Sequence, residues 1–217
     1  MDQDITVEEL TENSFENVDY ALGATENDIT KTWMPWAQKA GTIVVDNSSA
    51  YRLDPNVPLV IPEINPEDIQ KNQGIIANPN CATIIALVAL HALHQEFKIK
   101  RMIVSTYQAV SGAGVKGIQD LENQVKDPSI PSQAFPYPIA YNLIPQIGDF
   151  DENGISKEEW KLQNESRKIL HDPDILVNCT CVRVPIMRSH SESITIECEK
   201  RSRCTKKRAS CLPMHQA

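Results

Sequence analysis

The chain is 217 residues long and 41% hydrophobic, and 21 Lys+Arg against 29 Asp+Glu give a formal net charge of −8. That composition is ordinary for a globular protein of one large or two small domains. The acidic balance argues against nucleic acid or an anionic membrane as partner, and no apolar run is long enough to span a bilayer. The charge is uneven: residues 201–217 hold Arg201, Arg203, Lys206, Lys207 and Arg208 and no acid, which leaves 16 basic against 29 acidic residues, a net of −13, in residues 1–200.

Residues 1–16 are acidic and polar and read as a flexible start. Residues 18–23 form a short strand. A helix follows from Ile29 to Ala40, with Asp28 as its cap and Pro35 as an interruption. Residues 42–46 are a continuous β-branched run, as a buried parallel strand requires. Strand, helix and strand in that order make a βαβ unit, and ligand chemistry in such sheets gathers at the carboxyl ends of the strands. That points to Asp46-Asn47-Ser48-Ser49-Ala50-Tyr51-Arg52. Residues 53–74 read as an ordered loop with a short strand at Val57–Ile61, and 74–77 as another strand.

The segment from Cys81 to Phe97 is apolar almost all round and reads as a buried helix, with Asn78 or Asn80 available to cap it. Residues 101–108 form a strand. Ser111-Gly112-Ala113-Gly114 opens a helix toward Val125, and a Gly-rich turn before a helix is a plausible anion cradle. Five prolines mark 126–150 as a long loop. Ser156 and Glu159 make a capping box for a helix from Lys157 to Leu170, and 175–185 and 193–199 are β-like.

Six cysteines are too few for a disulfide scaffold, and no CxxC pair gives a zinc spacing. Strand alternation puts Cys179 and Cys181 on one face, as buried thiols. With no signal peptide, the sequons at Asn47, Asn164 and Asn178 read as chance, and the compartment as reducing and cytoplasmic. Cys81 differs from the other cysteines because it sits at a helix N-terminus. There the dipole and free N–H groups lower a thiol pKa and can hold an oxyanion. A buried structural thiol is an equal alternative. An acyl-transfer cysteine needs a base; of five histidines, His190 is selected only by elimination.

Several ordered motifs then resemble the aspartate-semialdehyde dehydrogenase family. They are Asn78-Pro79-Asn80-Cys81, Tyr107-Gln108-Ala109-Val110-Ser111-Gly112-Ala113-Gly114, and Cys181-Val182-Arg183-Val184-Pro185 followed by His190. Residues 46–52, 57–65, 135–145 and 158–161 fit the same family, so the resemblance runs from 18 to 200. It implies a mixed α/β fold: a partial Rossmann-like NAD(P)-binding domain over 1–80 and an α+β catalytic and dimerisation domain, like the C-terminal domain of glyceraldehyde-phosphate dehydrogenase, over 81–200. Residues 201–217 stand apart as a basic tail.

The resemblance implies NADPH-dependent conversion of β-aspartyl phosphate to aspartate β-semialdehyde and phosphate, in lysine, methionine and threonine biosynthesis. Cys81 would carry the acyl thioester, His190 would be the acid/base and Gln108 would orient the intermediate. Arg183 would hold the substrate α-carboxylate and Glu158 the amino group, while Arg52 and Lys161 would bind phosphate. Ser111, Gly112 and Pro138 would touch NADP. A homodimer or homotetramer is implied, with no nucleic acid, membrane or metal. N-acetyl-γ-glutamyl-phosphate reductase and glyceraldehyde-phosphate dehydrogenase share the architecture, and a non-catalytic interface module is the reading from another class.

The chain departs from the family in two places. It has no G-x-x-G-x-x-G loop, its glycines being 23, 41, 74, 112, 114, 117, 148 and 154, and residues 201–217 match nothing in the family. A truncated or altered reading frame with weak NADP-dependent turnover is the expectation.

Overall fold

The computed structural model describes residue 4 and residues 6–200; the basic tail, with His215, lies outside the described residues. The chain divides into two compact units, Met1–Pro79 and Asn80–Ala217.

In the first unit, β1 (Tyr20–Gly23), β2 (Ile43–Asp46) and β3 (Ile75–Ala77) form a parallel sheet in that order. The helix α1 (Asn27–Ala40) links β1 to β2 and buries Thr30, Trp33, Met34 and Ala37, the spacing of one helical face. Trp33 stacks on Phe15 and donates its indole N–H to Thr25. The helix runs through Pro35 without a break, and its N-cap is Glu26 with no side-chain bond. Asp28 is instead a first-turn residue, where its charge suits the dipole. The strand expected at Val57–Ile61 reduces to one parallel bridge, Leu59 to Ala77. At Gly23 a Cβ would stand 3.1 Å from Asp46 Oδ1 and 3.2 Å from Trp33, so glycine lets β1 and β2 end close together.

In the second unit, β4 (Ile99–Gln108) is central, parallel to β5 (Leu176–Arg183) and antiparallel to β6 (Ser191–Cys198). Along β4 the side chains of Met102, Val104, Thr106 and Gln108 are buried, and Ile103 and Tyr107 point to the open face. The helices α2 (Cys81–Phe97) and α4 (Lys157–Ile169) pack against the sheet and each other. The capping box at Ser156 and Glu159 starts α4.

The helix α3 (Gly114–Lys126) follows a 3-10 turn at Val110–Ala113. It anchors the proline-rich loop through two buried side chains. Asp120 accepts from the backbone N–H groups of Gln133 and Ala134, and Gln124 from those of Ile139 and Ala140. Val110, Leu121, Ile139 and Ile144 form a small core beneath. Among the described residues, no helix is long and apolar enough to cross a membrane.

Candidate active site

Cys81 is the first residue of α2, exposed at its N-terminus. Asn80 caps the helix: its side-chain oxygen accepts from the N–H groups of Ala82 and Thr83. Its amide nitrogen donates to Glu158 Oε1 at 2.8 Å, and its backbone N–H to Glu165 Oε2 at 2.7 Å. Glu158 and Glu165 are seven residues apart and share one face of α4. The residue before the thiol is therefore held at three points.

Glu158 is a hub. Its Oε1 also accepts from Gln108 Nε2 at 3.0 Å, and its Oε2 from Lys161 Nζ at 3.1 Å. Gln108 is fixed from its other end, because Thr106 donates to its Oε1 at 2.9 Å. Burial pushes the Glu158 carboxyl up, but the Lys161 charge and the bonds from Gln108, Asn80 and Lys161 outweigh it and keep it ionised. A carboxylate offers about four lone-pair sites, and three are filled.

Arg183 and His190 meet at a second point. Ala109 accepts from Arg183 Nη1 through its carbonyl at 2.7 Å and donates its N–H to His190 Nδ1 at 3.0 Å. The Arg183 guanidinium lies over the Phe135 ring, 5.7 Å from its centroid. A Cβ at Gly112 would stand 2.8 Å from Arg183 Nη1 and 3.3 Å from His190 Cε1 and Nε2. Burial and then the Arg183 charge lower the His190 pKa, and Glu158 opposes them.

Two expectations from the sequence are corrected. The Cys81 pKa is raised, not lowered: desolvation and then the Glu158 charge outweigh the Ala82 N–H and Arg183. The turn at 111–114 is no anion cradle from its own N–H groups, because Ser111, Gly112 and Gly114 donate to the carbonyls of Met187, Ala109 and Ser111.

Gln108, Glu158 and Lys161 are thus joined through one carboxylate, and Arg183, His190 and Gly112 around Ala109. Ser111 is half-buried in the 3-10 turn, and Pro138 is exposed in the anchored loop. Arg52 belongs to the first unit, where it is buried and donates to the carbonyls of Asn78 and Asn47 at 2.8 and 2.9 Å.

Asn80, Thr106, Ala109 and Glu165 complete the site and were not singled out as functional from sequence. Asn80 was legible only as a cap. Cys179 and Cys181 are buried, and burial raises both thiols, Cys181 to about 12. Glu192, opposite Thr106 in the ladder, has both carboxyl oxygens buried without a hydrogen-bond partner among the described residues, and burial raises its pKa to about 7.

Two family models match the chain: the semialdehyde dehydrogenase NAD binding domain over residues 1–72, and the semialdehyde dehydrogenase dimerisation domain over 90–210. Cys81 lies between the matched stretches. The second match extends to residue 210. The chain is 52% identical over 206 residues to aspartate-semialdehyde dehydrogenase of Aquifex aeolicus, covering 91% of this chain and 61% of the relative. It is similar to the crystal structure of aspartate semialdehyde dehydrogenase II complexed with ASA from Vibrio cholerae, at 44% identity and a TM-score of 0.83, covering 89% of this chain and 59% of that one. The aspartate semialdehyde dehydrogenase structure with NADP from Candida albicans gives 26% identity and a TM-score of 0.70, covering 91% and 56%. The chain thus spans about three fifths of these relatives' length.

Proposed function

The chain belongs to the semialdehyde dehydrogenase family, and on that premise we propose that it is an aspartate-semialdehyde dehydrogenase acting through an acyl thioester on Cys81. The observation that carries this reading is the Glu158 hub. One buried carboxylate fixes the cap of the helix that presents Cys81 and the amide of Gln108.

In the acyl-transfer half of the reaction, the Cys81 sulfur attacks the acyl carbon of β-aspartyl phosphate and phosphate leaves. Gln108 orients the acyl group, held at one end by Glu158 and at the other by Thr106. Arg183, fixed by Ala109 and Phe135, receives the substrate α-carboxylate, for which a planar guanidinium is suited. The unfilled lone-pair site of Glu158 receives the substrate ammonium group. Lys161 and Arg52 are the phosphate-side cations, and His190 is the acid/base.

When bound, an NADP cofactor would supply a hydride to the acyl carbon or remove one. Gly112 fits a flat ring in kind: it is exposed, and its bare Cα leaves no side chain over Arg183 and His190. Ser111 and Pro138 would also touch the cofactor. The enzyme works as a cytoplasmic homodimer or homotetramer in lysine, methionine and threonine biosynthesis.

Apart from Arg52, the acyl-transfer residues Cys81, Gln108, Glu158, Lys161, Arg183 and His190 fall within one unit, and phosphate release reads this half of the reaction without the cofactor. β-Aspartyl phosphate should give a burst of one phosphate per chain, and N-acetyl-γ-glutamyl phosphate and 1,3-bisphosphoglycerate none. No burst with β-aspartyl phosphate, or a larger one with either competitor, overturns the proposal.

A further inference from the structure

The proline-rich loop between α3 and α4 meets Arg183 twice. Ile144 donates its N–H to the Arg183 carbonyl at 3.0 Å, and Arg183 returns its own N–H to the Ile144 carbonyl at 2.9 Å. Phe135 lies against the guanidinium, 5.7 Å from ring centroid to Cζ, which is within reach of a cation–π contact. The loop thus holds both the main chain and the side chain of one residue. Among the described residues the guanidinium makes one hydrogen bond, from Nη1 to the Ala109 carbonyl. A single bond at one nitrogen leaves the group free to swing about it, and the ring limits that swing.

Phe135 is itself placed from α3. Asp120, only 2% exposed, accepts the Gln133 N–H through both carboxyl oxygens at 2.9 Å and the Ala134 N–H through Oδ2 at 2.8 Å. These are the two residues before Phe135. One turn further along the same helix face, Gln124 donates to Ser132 Oγ at 2.9 Å and accepts from the N–H groups of Ile139 and Ala140. The tip of the ring meets α3 at Gly117. A Cβ there would stand 3.1 Å from Phe135 Cζ and 2.4 Å from the Val110 carbonyl. The ring is therefore seated between the helix and the guanidinium.

We propose that Asp120 is a positioning residue for substrate binding: by fixing the peptides before Phe135 it seats the ring on Arg183, and the ring sets which edge of the guanidinium meets the substrate carboxylate. A guanidinium binds a carboxylate through two parallel bonds only while its plane is held. The substrate side of this inference rests on the proposed role of Arg183. The relay from Asp120 through Phe135 to the guanidinium rests on the hydrogen bonds and the ring contact.

The test has one readout without substrate and one with it. The first is nitrogen-15 NMR of the arginine-labelled chain, with the Arg183 signals identified by their loss in R183K. The two Nη nitrogens should be resolved in the wild-type chain. Phe135→Leu removes the ring and keeps an apolar side chain; Asp120→Asn replaces one acceptor oxygen by a donor. Each should speed exchange between the two nitrogens by roughly threefold to tenfold. Exchange that is unchanged in either variant, or already complete in the wild type, overturns the proposal. In the phosphate burst, the half-saturating concentration of β-aspartyl phosphate should rise roughly threefold to tenfold in each variant, by more than the saturating rate falls. The double variant should be no worse than F135L, because Asp120 acts through the ring. Additive losses, or a lower rate at unchanged half-saturation, overturn the proposal. A wild-type chain that gives no burst removes the aspartyl reading, and the NMR result then decides the relay by itself. If F135L does not fold, a phenylalanine fluorinated at both meta carbons takes its place. It weakens the negative ring face, leaves Cζ bare beside Gly117 and should move both readouts in the same direction.

Discussion

Two clusters of buried polar groups, one in each unit, have different partners. At the carboxyl ends of β2 and β3, Arg52 donates to main-chain carbonyls of Asn47 and Asn78, and Asn65 binds the main chain of Leu59 and Ile61. These side chains hold loops. At the α2–α4–β4 corner of the second unit, Glu158, Asn80, Gln108 and Lys161 bind one another's side chains. Side chains fixed by other side chains keep their ends placed for a ligand, at the cost of burying a charge that only mutual bonding offsets. The contrast separates side chains that hold the main chain from side chains that hold one another.

The largest expected effect separates the thiols. Cys81 is exposed, whereas Cys179 and Cys181 are buried with raised pKa values. In the native chain a thiol reagent should modify Cys81 roughly 1,000-fold faster than either, because the buried pair reacts only after opening. Comparable rates would remove the distinction between the nucleophile and the core thiols.

Glu158→Gln tests the hub with two readouts of opposite sign. Removing the charge that raises the Cys81 pKa should speed alkylation of Cys81 at neutral pH severalfold. Loss of the charge toward Lys161 and the substrate should slow the phosphate burst by about 100-fold. The same carboxylate has a depressed native pKa, so its stabilising effect is present above the unfolded value of about 4.3 and is lost as pH falls through the native value. Acid unfolding of the variant should therefore be less steep below about pH 4. Alkylation and burst moving together would contradict the hub.

Much of this molecule was legible in its sequence. Apolar runs located the strands and α2, and Ser156 with Glu159 marked the start of α4, because these signals are local. The hub was not legible: Asn80 and Glu158 are 78 residues apart, and nothing in either neighbourhood specifies the pairing. The Cys81 pKa was misread for the same reason, since the dipole is local, whereas the burial and the Glu158 charge that outweigh it come from tertiary packing. Pro35 was misread because a proline removes one donor without forcing a helix to end when its packed face, here Trp33, Met34 and Ala37, continues across it.

A smaller effect tests the anchored loop. Asp120→Ala leaves the N–H groups of Gln133 and Ala134 without their acceptor, and chemical denaturation should show a loss of about 2–3 kcal/mol. A change under about 0.5 kcal/mol would mean that the loop is held by its apolar core alone. Smaller again, Gly112→Ala introduces a Cβ 2.8 Å from Arg183 Nη1. It should slow the burst about tenfold with little change in melting temperature, and an equal loss of stability would reassign Gly112 to architecture.

The central claim is that Cys81 takes the acyl group while the Glu158 hub places it. Its most direct test is intact-protein and peptide mass spectrometry after mixing the chain with fresh β-aspartyl phosphate and quenching in acid. The predicted result is one aspartyl adduct per chain, on the peptide that contains Cys81, absent in C81S and reduced in E158Q. An adduct on another cysteine, or none on the wild-type chain under conditions where Cys81 is alkylated, would contradict it.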